Sequence, residues 1–345
     1  MRLRTLAAAF AAALVAAAPA AAEPAMVGYP SSMASTGDSI TRAFNTCSFP
    51  YIDCPSNSWS TGSSSSVNSH YRRILAVNGA IAGRNFNDGQ TGADMADLNG
   101  QVARAVAQGA QYVTILMGAN DVCASSEAAM TPLSTFRAQL DQALATVTTG
   151  LPDARIYVVS IPRVYRLWEI FRFNIGALLV WDAADICQSM LANATSYSST
   201  TIARRARVDQ RNREYNVQLA DACAQLVHCR FDNNVVFNHP FQTSQVTSRD
   251  YFHPSTSGQA LLASITWANG FDFNDNVAPS SLGVLSNSAV TITASDNVAV
   301  KGVEYRLSGG WVRYTTPVPL APGQTITWRA VDVNGNAEAT QTLVG

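Results

Sequence analysis

Two short segments hold the residues best suited to nucleophilic chemistry. Ser39 lies in Thr36-Gly37-Asp38-Ser39-Ile40, and His253 in Asp250-Tyr251-Phe252-His253-Pro254. A serine hydroxyl attacks a carbonyl carbon only when a base takes its proton, and a histidine oriented by a carboxylate is a common base. Of the four histidines, His70, His228 and His239 have no carboxylate three residues earlier, whereas His253 has Asp250. Ser39, His253 and Asp250 are therefore the candidate catalytic residues, with Asp250 expected to hold the ring tautomer. Between them lie two further blocks, Asn87-Asp88-Gly89-Gln90-Thr91-Gly92 and Gly118-Ala119-Asn120-Asp121. Other chemistries lack their signatures: there is no Gly-x-Ser-x-Gly elbow, His-Glu-x-x-His pair, Walker loop or Gly-x-Gly-x-x-Gly turn. Neither a metal nor a cofactor is expected.

The elements that must position these groups can be read from the periodicity. Short apolar runs alternate with helical patterns from about Ser31 to Gly270, as in a parallel sheet with crossover helices. Tyr112–Met117 and Ile156–Ile161 read as strands buried on both faces, and Val235-Val236-Phe237 as a last strand. Helices are expected over Asp94–Gln108, Pro132–Thr148, Ile202–Leu226 and Ser257–Ala268. Ser39 falls where a strand should end and a helix begin. There, backbone N–H groups and the helix dipole favour an oxyanion, although a simple capping serine would occupy the same place. Beyond Asn274–Ser281 the pattern turns to period two, in Val290–Thr293 and Thr325–Val331, with turns at Ser308-Gly309-Gly310 and Asn334-Gly335.

The four blocks, in this order, resemble the SGNH (GDSL) hydrolase superfamily, with Ile40 in place of the leucine of the GDSL name and Asn87 opening the second block. The resemblance implies an α/β fold, a three-layer α/β/α sandwich whose parallel sheet of about five strands has flavodoxin-like order. It implies that Ser39 is the nucleophile, and that the Ser39 N–H, Gly92 and Asn120 form the oxyanion hole. In some relatives a backbone carbonyl replaces the acid that Asp250 supplies here. Asp38 and Asp121 are expected to organise loops. The tail resembles the small all-β Ig-like modules of secreted bacterial enzymes, through Val303–Trp311 and Ala330–Glu338. The expected organisation is a signal peptide over 1–22, a hydrolase domain over 23–275 and an Ig-like module over 276–345.

Composition narrows the partners. The formal net charge is −1 and 14% of residues are charged, which gives no footprint for nucleic acid. Met1-Arg2-Leu3-Arg4, an alanine-rich apolar run and Ala20-Ala21-Ala22 form a secretory leader, too short for a transmembrane anchor, so an extracellular protein is expected. Six cysteines in an exported chain point to disulfides; Cys47 with Cys54 and Cys223 with Cys229 close local loops, leaving Cys123 with Cys187. No Cys-x-x-Cys pair supports a zinc site instead.

For the substrate, Gly118–Cys123, Ser160-Ile161-Pro162 and Phe252-His253-Pro254 resemble the phospholipase B-like branch, which implies a lipase or esterase acting on acyl esters or phospholipids. The segment Val164–Met190 carries Tyr165, Trp168, Phe171, Phe173 and Trp181, either as a lid and lipid contact or simply as core. Two alternatives stand beside this: an acetyl esterase held on polysaccharide or a cell surface by the module, and an adhesion protein with a vestigial hydrolase domain. The second predicts exposed aromatics on the module, for which Trp311 and Trp328 are the candidates.

Overall fold

The computed structural model describes Glu23 and residues 25–345; the expected signal peptide lies outside the described residues. Five parallel strands, β1 (Met33–Gly37), β2 (Asn85–Asn87), β3 (Tyr112–Leu116), β4 (Arg155–Val158) and β5 (Cys229–Phe231), form a sheet of order β2-β1-β3-β4-β5. Strands β1, β3 and β4 are buried at every position, as a sheet covered by helices on both faces requires. Among the covering helices, Leu98–Ala107 buries Leu98, Val102 and Ala105 at helical spacing. It meets Leu133–Gly150 so closely that a Cβ on Gly150 would lie 2.4 Å from Val106.

His70 shows how tightly this core is closed. Its ring bonds the Tyr112 hydroxyl through Nδ1 and Thr266 Oγ1 through Nε2, each at 2.9 Å, joining β3 to the helix Thr256–Asn269. Burial, aided by Arg73, pushes its pKa down to about 3, so it is a neutral structural histidine.

Val235-Val236-Phe237 is not a strand; it is a helical turn, Val235–Asn238, and the last strand is β5. The reason lies just upstream. The Asp232 carboxylate accepts the N–H groups of Asn234 and Val236, and Asn234 sits at φ +62°, which turns the chain before it can extend. The disulfides Cys47–Cys54, Cys123–Cys187 and Cys223–Cys229 are all formed.

The C-terminal region is all-β. Strands β6 (Ser280–Ser286), β7 (Ala289–Ser295), β8 (Val300–Arg306), β9 (Val312–Arg313), β10 (Val318–Pro319), β11 (Thr325–Asp332) and β12 (Gln341–Val344) form two antiparallel sheets, ordered β10-β7-β6 and β12-β11-β8-β9. Between them Val290, Ile292, Ile326 and Trp328 make a small core. Trp328 is buried, and Gly283 faces its ring where a Cβ would come within 2.7 Å. Trp311 is half-buried, with the guanidinium groups of Arg306 and Arg329 at 4.4 and 4.5 Å from its ring centre.

This module docks on the end of the parallel sheet where the strands begin. Arg329 bonds Glu304 (2.6 Å), Asp153 and the Pro152 carbonyl, and Glu304 also meets His228 at 3.1 Å. Arg155, the first residue of β4, bonds the Gly28 carbonyl at 2.7 Å and Asn336 at 2.8 Å. The segment leading into β1 is pinned too: Met26 and Ala337 exchange backbone hydrogen bonds, and the Glu23 N–H donates to Thr340.

Because His70 must stay neutral in the folded state but ionises at 6.5 when unfolded, acidification favours unfolding; between pH 6.5 and 4 the loss is roughly 3 kcal/mol. His70→Gln is expected to be less stable at neutral pH yet to show a shallower fall over this window, measured by urea unfolding.

Candidate active site

The site is built where the strands end. After β1 the chain must turn sharply under the first helix of the next layer, and Gly37 allows it: φ is +147°, and a Cβ would lie 2.3 Å from the Leu116 carbonyl oxygen. Gln101 clamps this residue, accepting the Gly37 N–H at 2.7 Å and donating to its carbonyl at 3.0 Å. No regular helix follows Ser39, contrary to the sequence expectation. Residues 38–45 form successive turns, because Ala43 and Asn45 sit at φ +50° and +66°. A full helix dipole is therefore absent from the surroundings of Ser39. Gln259 steadies the turns instead, donating to the Ile40 carbonyl at 2.8 Å.

The structure brings the three candidate residues together. Ser39 Oγ is 2.7 Å from His253 Nε2, and His253 Nδ1 is 2.8 Å from Asp250 Oδ2. Asp250 Oδ1 accepts the N–H groups of Phe252 (2.9 Å) and His253 (3.0 Å), so the carboxylate folds its own loop around itself. Burial raises the Asp250 pKa, but the His253 ring and these N–H groups outweigh it, and the carboxyl lies below its ordinary range. With the carboxylate on Nδ1, Nε2 of a neutral ring is free to accept the serine proton.

Gly92, at φ +85°, and Asn120 line the same cleft, of about 310 Å³, as Ser39 and His253. The Asn120 amide donates one N–H to the Ala93 carbonyl at 2.7 Å, which orients the group and leaves its second N–H unspent. The Ser39 and Gly92 N–H groups make no hydrogen bond among the described residues. Three N–H donors without a partner thus belong to residues that line this cleft. Asn87 links the blocks by donating to the Thr41 carbonyl at 3.0 Å. Asp121 accepts the Met95 N–H at 3.0 Å, tying the third block to the second. Asp38 accepts the Ile40 N–H at 2.8 Å inside the nucleophile's turn.

Several supports were not visible as motifs. Asn45 donates to Asp250 Oδ2, and Arg249 donates to the carbonyls of Asn45, Ser48 and Phe49, anchoring the loop closed by Cys47–Cys54. Gln101 and Gln259 did leave a trace, as polar residues within the buried stripe of a helix. The aromatic segment after β4 divides. Trp168, Phe171 and Trp181 are buried, and Trp181 donates to the Tyr251 carbonyl at 3.2 Å, whereas Phe173 is 78% exposed.

The family model of GDSL-like lipases and acylhydrolases matches residues 35–266. No curated protein matches the chain. Among solved structures it is similar to an extracellular lipase from Streptomyces rimosus, at 17% identity and TM-score 0.36, over 66% of this chain and 94% of that one. It is similar to phospholipase A1 from Streptomyces albidoflavus NA297, at 15% identity and TM-score 0.37, over 71% and 100%. It is also similar to a family two carbohydrate esterase from Clostridium thermocellum in complex with cellohexaose, at 16% identity and TM-score 0.41, over 72% and 65%. Likenesses this distant say nothing of this chain's substrate.

Asp38 is fully buried, which raises its pKa from 3.8 to about 6, and one of its oxygens has no partner. The folded state therefore holds a proton that the unfolded chain has already lost, and stability falls as pH rises through this window. Asp38→Asn removes the titration, so its unfolding free energy should gain on the wild type by roughly 2 kcal/mol between pH 4 and 8. Denaturant titrations of both proteins at the two pH values measure it.

Proposed function

Because the chain belongs to the GDSL-like lipase/acylhydrolase family and is an ester hydrolase of that type, we propose that it is a secreted serine esterase or lipase acting on acyl esters. We take 1–22 as its leader, 23–275 as the hydrolase domain and 276–345 as an Ig-like module. The observation that carries the reading is the unbroken chain Ser39–His253–Asp250 facing three unspent N–H donors.

In this reading Ser39 Oγ attacks the ester carbonyl as its proton passes to His253 Nε2. The carbonyl oxygen, now negative, is met by the N–H groups of Ser39 and Gly92 and the Asn120 amide. Asp250 stabilises the imidazolium, which returns the proton to the departing alcohol. Water, activated by the same ring, then releases the acid.

The module's aromatics weigh against a substrate platform there: Trp328 fills the core and Trp311 lies on two guanidinium groups. The intact constellation likewise weighs against a vestigial hydrolase.

Ser39→Ala is expected to lower kcat on p-nitrophenyl esters about 10⁴-fold or more, and Asp250→Asn about 10²- to 10⁴-fold. Asn120→Ala should lower kcat about 10²- to 10³-fold with little change in KM. Initial rates on acetate and butyrate esters read all three, and wild-type rates in Ser39→Ala would overturn the assignment.

A further inference from the structure

Two segments beside the catalytic cleft hold large apolar side chains out in water. The loop closed by Cys47–Cys54 presents Phe49, 75% exposed, with Tyr51 and Ile52. The segment after β4 presents Phe173, then Ile175 and Leu179 on the helix Ile175–Ala183. Tyr51 from the first, with Ala184 and Ile186 just beyond the helix, lines the same cleft as Ser39 and His253. Among the described residues Phe49 and Phe173 are the only exposed phenylalanines, and they belong to these two segments. Both segments are anchored. Arg249 donates to the Ser48 and Phe49 carbonyls at 2.9 Å each, which holds the loop backbone with its side chains outward. The helix is seated on the 250–253 loop: a Cβ on Gly176 would lie 2.6 Å from the Tyr251 hydroxyl, and Trp181 donates to the Tyr251 carbonyl. Its sequence, Ile-Gly-Ala-Leu-Leu-Val-Trp-Asp-Ala, contains Asp182 as its one polar side chain. A helix apolar on every face is ordinarily enclosed, yet here only Ala177 and Trp181 are fully buried, and Ile175 and Leu179, one turn apart, face out. Apolar surface gathered in this way marks a place that an apolar partner covers.

We infer that Phe49, Tyr51, Ile52, Phe173, Ile175 and Leu179 dock the molecule on a zwitterionic lipid surface, with the cleft facing it. The inference rests on the reading of Ser39 as an ester-cleaving nucleophile, because the occupant must leave the cleft open to substrate. A second copy of the chain seated here would roof the cleft, whereas a lipid surface carries the ester with it. Charge selects the kind of lipid. Residues 48–52 carry no charge, and residues 173–186 carry only Asp182 and Asp185, both exposed. The adjoining Arg172 is held against the rings of Trp168 and Phe173, 4.8 and 5.0 Å from their centres. The two carboxylates repel anionic headgroups and suit the outward ammonium of a choline headgroup. Binding then comes from apolar side chains entering the acyl boundary, with the Tyr51 ring at the level of the headgroups.

Sedimentation of the Ser39→Ala protein with phosphatidylcholine vesicles tests this without catalysis. Half of the protein should be bound at or below about 1 mM lipid. Phe49→Ser combined with Phe173→Ser should weaken binding at least about tenfold, and Leu179→Ser alone several-fold. Leu282→Ser, at an exposed position on β6 of the module, should leave it unchanged. Binding should persist in about 0.5 M sodium chloride and should not strengthen when phosphatidylserine is mixed in. These side chains stand in water, so unchanged urea midpoints are expected and show that a loss is not unfolding. No binding at that lipid concentration, an equal loss in Leu282→Ser, or binding that needs phosphatidylserine would each overturn the inference. So would a dimer in sedimentation velocity that the double phenylalanine variant dissociates, which would make this face a contact between copies. Failure of the nucleophile reading shows separately, as Ser39-independent hydrolysis of dissolved p-nitrophenyl esters.

Discussion

A buried carboxylate must be fully paired or it will not stay charged, and the catalytic end of this molecule is arranged around that demand at Asp250. Four hydrogen bonds reach it: two from its own loop backbone, one from His253 and one from Asn45. Each brings a segment with it. The backbone bonds fold the 250–253 loop with Tyr251 at φ +54°, and the Asn45 bond fixes the turns after Ser39. The neighbours extend the arrangement outward: Arg249 holds the disulfide-closed loop, and Tyr251 receives Trp181 from the helical segment after β4. Ser39, His253 and both flanks of the cleft are thus referred to one ion.

Strands β3 and β4 and the proposed triad of Ser39, His253 and Asp250 could be read from the chain because their signals are local. Strands β3 and β4 are largely apolar runs, as burial on both faces favours, whereas β1, Met-Ala-Ser-Thr-Gly, is buried throughout without being one; a histidine three residues after an aspartate carries its orienting group nearby. What escaped depends on partners distant in sequence or on single backbone angles. Val235-Val236-Phe237 is as apolar as a strand, yet the Asp232 carboxylate bends it. The helix expected after Ser39 is broken by two left-handed residues, of which Ala43 gives no warning by its type. Asn45 is an ordinary polar residue until the chain brings Asp250 to it from 205 positions away.

Catalysis and the all-β module occupy opposite ends of the parallel strands. The module does for the lower end what loops do for the upper, covering strand starts with a buried network of Arg329, Glu304 and His228. Such a network is costly to bury and would lose its pairing if the module moved away. It favours a fixed attachment over a swinging one.

Glu23 and residues 25–28 lie against residues 336–340, on the module side of the molecule and remote from the cleft. Orientation on a solid support follows. A graft on this face would point the cleft away from the matrix, leaving its approach to substrate unshaded.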